Sequence, residues 1–145
     1  MENLVFGSQN IELSFTGSYF VDPSYTQGVG KSFAINIKEL KETPGVYALV
    51  DHETKEILKF GDSQDLAHRL SVQYISINNV TNNKVRDYIK TNGIVDIYVK
   101  RCETQITDDG YGPTKVNGSG QLEKNLINDF KKIKGKKPIL NSITR

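Results

Sequence analysis

The sequence predicts an α+β domain, a small antiparallel β-sheet flanked by helices. Strand-like stretches recur at 10–20 ("NIELSFTGSYF"), at about 45–51 and 56–61, and in "GIVDIYVKRC" at 93–102. Between and after them lie windows with apolar residues at helical spacing, such as Leu122, Leu126 and Phe130. The resulting order, strand-rich and then ββα, α, β, α, fits one antiparallel sheet with helices packed on it rather than repeated βαβ units.

From the start of the chain, "MENLVFGS" resembles the remnant of a protease recognition site and is given no place in the fold. Ile11, Leu13 and Phe15 alternate with polar neighbours as in a short strand, and 21–31, with "DPSYTQGVGK", is turn-rich and predicts a mobile arm. "INIKELKETPGVY" predicts a brief helical turn at 36–41 that stops before Pro44, because a residue preceding proline is pushed out of the helical region. Two strands follow, with "HET" or "HETK" as their turn. Asp62 or Ser63 then caps a helix at 64–76 that stacks Leu66, Leu70 and Tyr74. A second helix fits 82–92, ended by Gly93. In the next strand Val95, Ile97 and Val99 point inward. Residues 104–120, with four glycines and a proline, predict a long loop, poorly ordered or ordered by a partner. The last helix, 121–134, is amphipathic through Leu122, Leu126, Phe130 and Ile133, and "KKPILNSI" closes the chain in an extended form. The expected division is an N-terminal arm and strand, 1–35, and a domain, 36–145.

Length and composition narrow the function. A chain of 145 residues suits one domain, able to bury roughly 70% of its unfolded surface without staples. Cys102 is the single cysteine, which excludes an internal disulfide framework and a four-cysteine zinc site. With no signal peptide and no apolar run of about 18 residues, the expectation is a soluble, cytoplasmic protein with no membrane partner. A net charge of +2 permits nucleic-acid binding without requiring it. The stretch "KKIKGKK" (131–137) holds five lysines, whose plainest reading is a solvated helix end favoured by the helix dipole.

Four residues can converge on a shallow polar cleft. Tyr47 lies in the first strand of the hairpin and Lys59 in the second, and a register that sets them opposite each other puts both on one sheet face. Arg69 sits at the margin of its helix's apolar stripe, and Glu123 at the margin of the last helix's. His68 points away into solvent. These types suit phosphodiester hydrolysis: a glutamate for one Mg²⁺ with water filling its shell, an arginine for the developing charge, and a phenol–lysine pair to activate a water. Each residue also has a plain structural role. Tyr47 can fill a sheet face, Lys59 can guard an edge strand, Arg69 can pair with Asp65, and Glu123 can face the helix dipole. The combination carries the reading.

"GVY" at 45–47, "KFG" at 59–61 and "DSQDLAHRL" with Arg69 eight residues past Gly61 resemble the GIY-YIG nuclease family. Glu123 in "GQLEKNLI" matches that family's helix-borne metal-binding glutamate, and Asn141 in "KPILN" its terminal asparagine. The resemblance covers roughly residues 38–143. It departs from the pattern where Lys59 replaces the first tyrosine of the second tripeptide and Phe60 its isoleucine; a lysine at the first of these positions is similar to restriction-enzyme members. A mechanism based on two tyrosines is therefore not implied. What the resemblance implies is a GIY-YIG-like fold and a Mg²⁺- (or Mn²⁺-) dependent endonuclease of restriction or phage type, acting on double-stranded DNA as a dimer or higher homo-oligomer. It implies Tyr47 as general base or relay to the base, Lys59 as its support, Arg69 on the phosphate, Glu123 on the metal and Asn141 as a brace. A catalytically silent nucleic-acid-binding module on the same fold, or an RNA-directed nuclease, are the alternatives.

Overall fold

The structure, a computed structural model, describes residues 3–25, 28–73, 83–108, 110 and 112–141. In chain order it forms β1 (Leu4–Phe6), β2 (Ile11–Val21), β3 (Val29–Phe33), a 3₁₀ turn (Ile37–Leu40), β4 (Gly45–Asp51), β5 (Ile57–Ser63) and the short α1 (Leu66–His68), which runs on as a wider π-type turn (Arg69–Gln73). Then come α2 (Asn83–Asn92), β6 (Val95–Arg101), β7 (Gln105–Asp108), β8 (Pro113–Val116), α3 (Ser119–Lys134) and a closing 3₁₀ turn (Ile139–Asn141). The main sheet is antiparallel in the order β1-β2-β6-β4-β5, with β3 against the end of β2. The expected α+β class is the observed one.

β4 is buried along its whole length, because both faces of the sheet are covered. Tyr47 and Leu49 join Val95, Ile97 and Val99 on one face, under Leu66, Leu70, Val85 and Ile89 from α1, its following turn and α2. Val46, Ala48, Val50 and Phe60 face the other way, under Leu126 and Phe130 of α3. Burying each of these large side chains contributes about 1.5–3 kcal/mol, which is why α3 docks despite its charged outer face.

The structure departs from the sequence reading in several places. Residues 29–33 form β3, paired with 17–21, where a mobile arm was expected; backbone pairing satisfies a segment whose composition alone reads as loop. β2 also pairs with β6, so the N-terminal segment is built into the sheet. Residues Leu4–Phe6 pair with 11–13, and the Phe6 ring sits 5.4 Å from Phe60 and 6.0 Å from Phe130, giving "MENLVFGS" a place in the core. In the expected loop, 105–108 and 113–116 pair as a hairpin. Asp65, not Asp62 or Ser63, caps α1, accepting the His68 N–H at 3.2 Å. Tyr74, the third residue of the expected stack, lies outside the described residues. Ile133 is 61% exposed rather than core, and "PILN" turns instead of extending.

Candidate active site

The hairpin register decides which side chains can meet. Direct pairing of Tyr47 with Lys59 is not observed: Tyr47 pairs with Gly61, and Leu49 with Lys59. The cause is a four-residue turn combined with a bulge. Val50 pairs with Ile57, so Leu58 is an extra residue in β5 before the ladder resumes at Lys59. The bulge preserves parity, so Lys59 still shares a face with Tyr47, one diagonal step away. It also turns Leu58 into the Tyr47 side of the core.

Tyr47 lies across Gly61. A Cβ at residue 61 would fall within the space of the Tyr47 ring carbon that bears the hydroxyl, and of the hydroxyl itself. The glycine is required because the ring crosses there. Gly45 is constrained similarly: a Cβ would run into the Lys100 carbonyl and Leu66. Both glycines of the hairpin motif thus mark close approaches. Tyr47 itself is fully buried, where the sequence reading expected an open cleft, because Leu66 and Leu70 fold over that face. Lys59 is half-buried.

Arg69 begins the turn after α1, flanked in the helical register by the fully buried Leu66 and Leu70, and its Nε is inside the protein. His68 is exposed, as expected. Asn141 grips the outer edge of β5. Its Oδ1 accepts the Phe60 N–H at 2.7 Å and its Nδ2 donates to the Phe60 carbonyl at 2.9 Å. One carboxamide therefore replaces a strand neighbour for the residue between Lys59 and Gly61.

Glu123 comes from the other side. It is half-buried on the stripe of α3 that carries Ser119, Leu126 and Phe130, and those two apolar residues pack on the face opposite Tyr47. The candidate residues therefore do not share the expected single cleft over one face but lie on both sides of β5. Tyr47, Lys59 and Arg69 belong to one face of β5, Asn141 to its edge, and Glu123 to the helix on the other face.

A polar chain fixes α3 against the end of β5, and the sequence reading missed it. Asn117 Nδ2 donates to Gln64 Oε1 at 2.7 Å, Gln64 Nε2 to Ser119 Oγ at 3.3 Å, and that hydroxyl reaches Asp62 Oδ2 at 3.4 Å. Asn117 Oδ1 also accepts the Ser119 N–H at 3.0 Å, completing the helix start that Gly118 has no side chain to cap. The "NGS" at 117–119 ahead of a helix is the signal that could have located this junction. Glu123 stands one turn beyond it.

No protein-family model matches the chain, and no curated protein matches it in sequence. Solved structures do match in shape. A mutant of the endonuclease EndoII of bacteriophage T4 superposes with a TM-score of 0.60 at 12% identity, covering 86% of this chain and 89% of that one. The chain has a GIY-YIG-type nuclease fold. The restriction endonuclease HPY188I, solved with product DNA, matches with a TM-score of 0.51 at 23% identity, over 91% of this chain and 81% of its own.

Proposed function

We propose that this chain is a Mg²⁺-dependent DNA endonuclease, of the restriction or phage kind, hydrolysing phosphodiester bonds in double-stranded DNA. The observation that carries the reading is the Tyr47 ring laid over Gly61 with Lys59 on the same face of β5, in a fold shared with two endonucleases.

The residues fit a divalent ion of the hard, oxygen-preferring kind. Among the described residues no cluster of three or more His, Cys, Asp or Glu side chains can hold a metal. A lone carboxylate, Glu123, suits Mg²⁺ or Mn²⁺ with water completing the shell, and would not suit zinc. When bound, the ion supplies positive charge to the scissile phosphate and its leaving oxygen. Arg69 adds positive charge to the same phosphate. Lys59, the member of the phenol–lysine pair that reaches the surface, positions the attacking water and favours the Tyr47 phenolate, which takes the water's proton as the bond from phosphorus to the leaving oxygen breaks. Asn141 holds β5 straight between them. Cutting two antiparallel strands with one small site calls for a symmetric assembly, a dimer or higher, and the DNA substrate places the protein in the cytoplasm.

The full burial of Tyr47 favours a second reading, a nucleic-acid-binding module without catalysis. Incubating the purified chain with supercoiled plasmid, in Mg²⁺ and in EDTA, separates the two. The endonuclease reading expects nicked or linear product in Mg²⁺ alone. Binding without cleavage in any divalent metal would leave the silent module, and cleavage of structured RNA with the plasmid left intact would redirect the reading to RNA.

A further inference from the structure

α3 ends in Lys131, Lys132 and Lys134, and Lys136 and Lys137 follow the Gly135 cap. All five are exposed, and among the described residues none is ion-paired. Lys55, in the β4–β5 turn, joins them: Lys55, Lys134 and Lys136 border one groove over Ile57 and Phe130, with Glu56 the acid on its rim. Asp129, the nearest acid on α3, accepts instead from the Ser8 N–H and hydroxyl at 3.1 and 3.3 Å. The helix dipole accounts for lysines in the last turn of α3, but its effect fades within that turn. It does not account for Lys136 and Lys137 beyond the cap, or for Lys55 from another element. Three lysines around one groove, with more on the adjoining end of α3, oppose folding through like-charge repulsion, and such a surface suits an anionic partner.

The direction of α3 places the cluster relative to the candidate site. Ser119 meets Asp62 near the end of β5, while Phe130 packs on Phe60 and Lys134 borders the groove over Ile57 at its start. The helix thus runs antiparallel to β5, from Glu123 toward the lysines. Eleven residues at 1.5 Å rise make the separation about 16 Å. A duplex advances about 3.4 Å per nucleotide of one strand, so this separation is about the length of five base pairs, within reach of a duplex seated at the proposed cleavage point. Resting on the endonuclease reading, we propose that the lysine cluster at the end of α3, with Lys55, grips the phosphate backbone of the DNA duplex flanking the cut. The partner is a sequence-independent polyanion, which suits flexible lysines rather than a base-reading arginine fork.

The test is the salt dependence of duplex binding, measured in EDTA so that no cleavage intervenes. Each phosphate contact contributes about 0.9 to the slope of log K against log salt. Replacing Lys134, Lys136 and Lys137 together by Gln should make the slope shallower by about two to three and weaken binding at least about tenfold at moderate salt. Replacing Lys31, Lys38 and Lys41, three exposed lysines on β3 and near the first 3₁₀ turn, removes the same charge and should leave the slope unchanged. An unchanged slope in the first variant, or equal losses in both, would overturn the proposed surface. No duplex binding by the unaltered chain would overturn the endonuclease reading itself. Because all six positions are exposed, matching circular dichroism and melting curves would establish that each variant is folded.

Discussion

The turn of the β4–β5 hairpin and the candidate site beyond its bulge use polar residues in different ways. At the turn end, the carboxylates close on internal donors. Asp51 accepts the Tyr88 hydroxyl at 2.6 Å and the backbone N–H groups of Glu53 and Thr54 at 2.9 Å. Asp96, only 1% exposed, accepts the Ser18 hydroxyl at 2.7 Å and meets the His52 ring at 2.9 Å. These bonds tie β2, β4, β6 and α2 together. Beyond the bulge, Lys59, Arg69 and Glu123 are half-buried charged groups drawn from three elements. Buried acids with a full set of donors hold a fold together, whereas half-buried charged groups keep a surface that a bound molecule can reach. On the proposed function, the turn serves structure and the candidate site serves chemistry.

Gly61→Ala should break it most severely. The added methyl must displace the Tyr47 ring, costing about 1–3 kcal/mol by overpacking and moving the phenol away from Lys59. Plasmid cleavage should fall at least about a hundredfold, as expected for a misplaced catalytic group. Near-normal cleavage would mean that the ring's seat over β5 does not matter.

Lys59→Ala should lower cleavage by about tenfold or more, in line with typical proton-transfer contributions, with little change in melting temperature for a half-exposed side chain. A small effect on rate would remove the lysine from the chemistry and leave it as an edge-strand charge.

Tyr88→Phe should do the reverse at the turn end, leaving cleavage unchanged while costing about 1.5 kcal/mol for a lost hydrogen bond to a carboxylate. The Tyr88 hydroxyl, followed by the Thr54 N–H, holds the Asp51 carboxyl below its ordinary value of 3.8. Burial and that carboxylate in turn push the Tyr88 phenol well above its ordinary range. A carboxyl whose pKa is depressed in the folded state contributes stability above its unfolded value and loses it as pH falls through the folded value. The variant's stability should therefore fall less steeply below pH 3.8 than that of the unaltered chain. Parallel acid-denaturation curves would show that the Asp51–Tyr88 bond carries none of the acid sensitivity.

Much of the site was legible because it is written in local spacing. The hairpin, α2, the inward Val95, Ile97 and Val99, and the apolar face of α3 all announce themselves by period or punctuation. The register was not legible, since "ILK" at 57–59 contains no turn former to mark Leu58 as the bulge. Nor was the burial of Tyr47, which depends on where Leu66 and Leu70 fold after β5 ends. Phe6 was misjudged because its partners, Phe60 and Phe130, are more than fifty residues away in sequence. Asn141 was visible as a brace, but only the structure gives its object, the two backbone groups of Phe60.

The measurement that bears most directly on the account is Glu123→Gln, assayed for plasmid cleavage in Mg²⁺ and for duplex binding in parallel. The substitution keeps the size of the side chain and removes the one charge the account gives to the metal. Cleavage should disappear while binding holds or strengthens, because a carboxylate that repels phosphate is gone. Cleavage at the unaltered rate in Mg²⁺ would contradict the account, since the catalytic ion would then be held elsewhere or not at all.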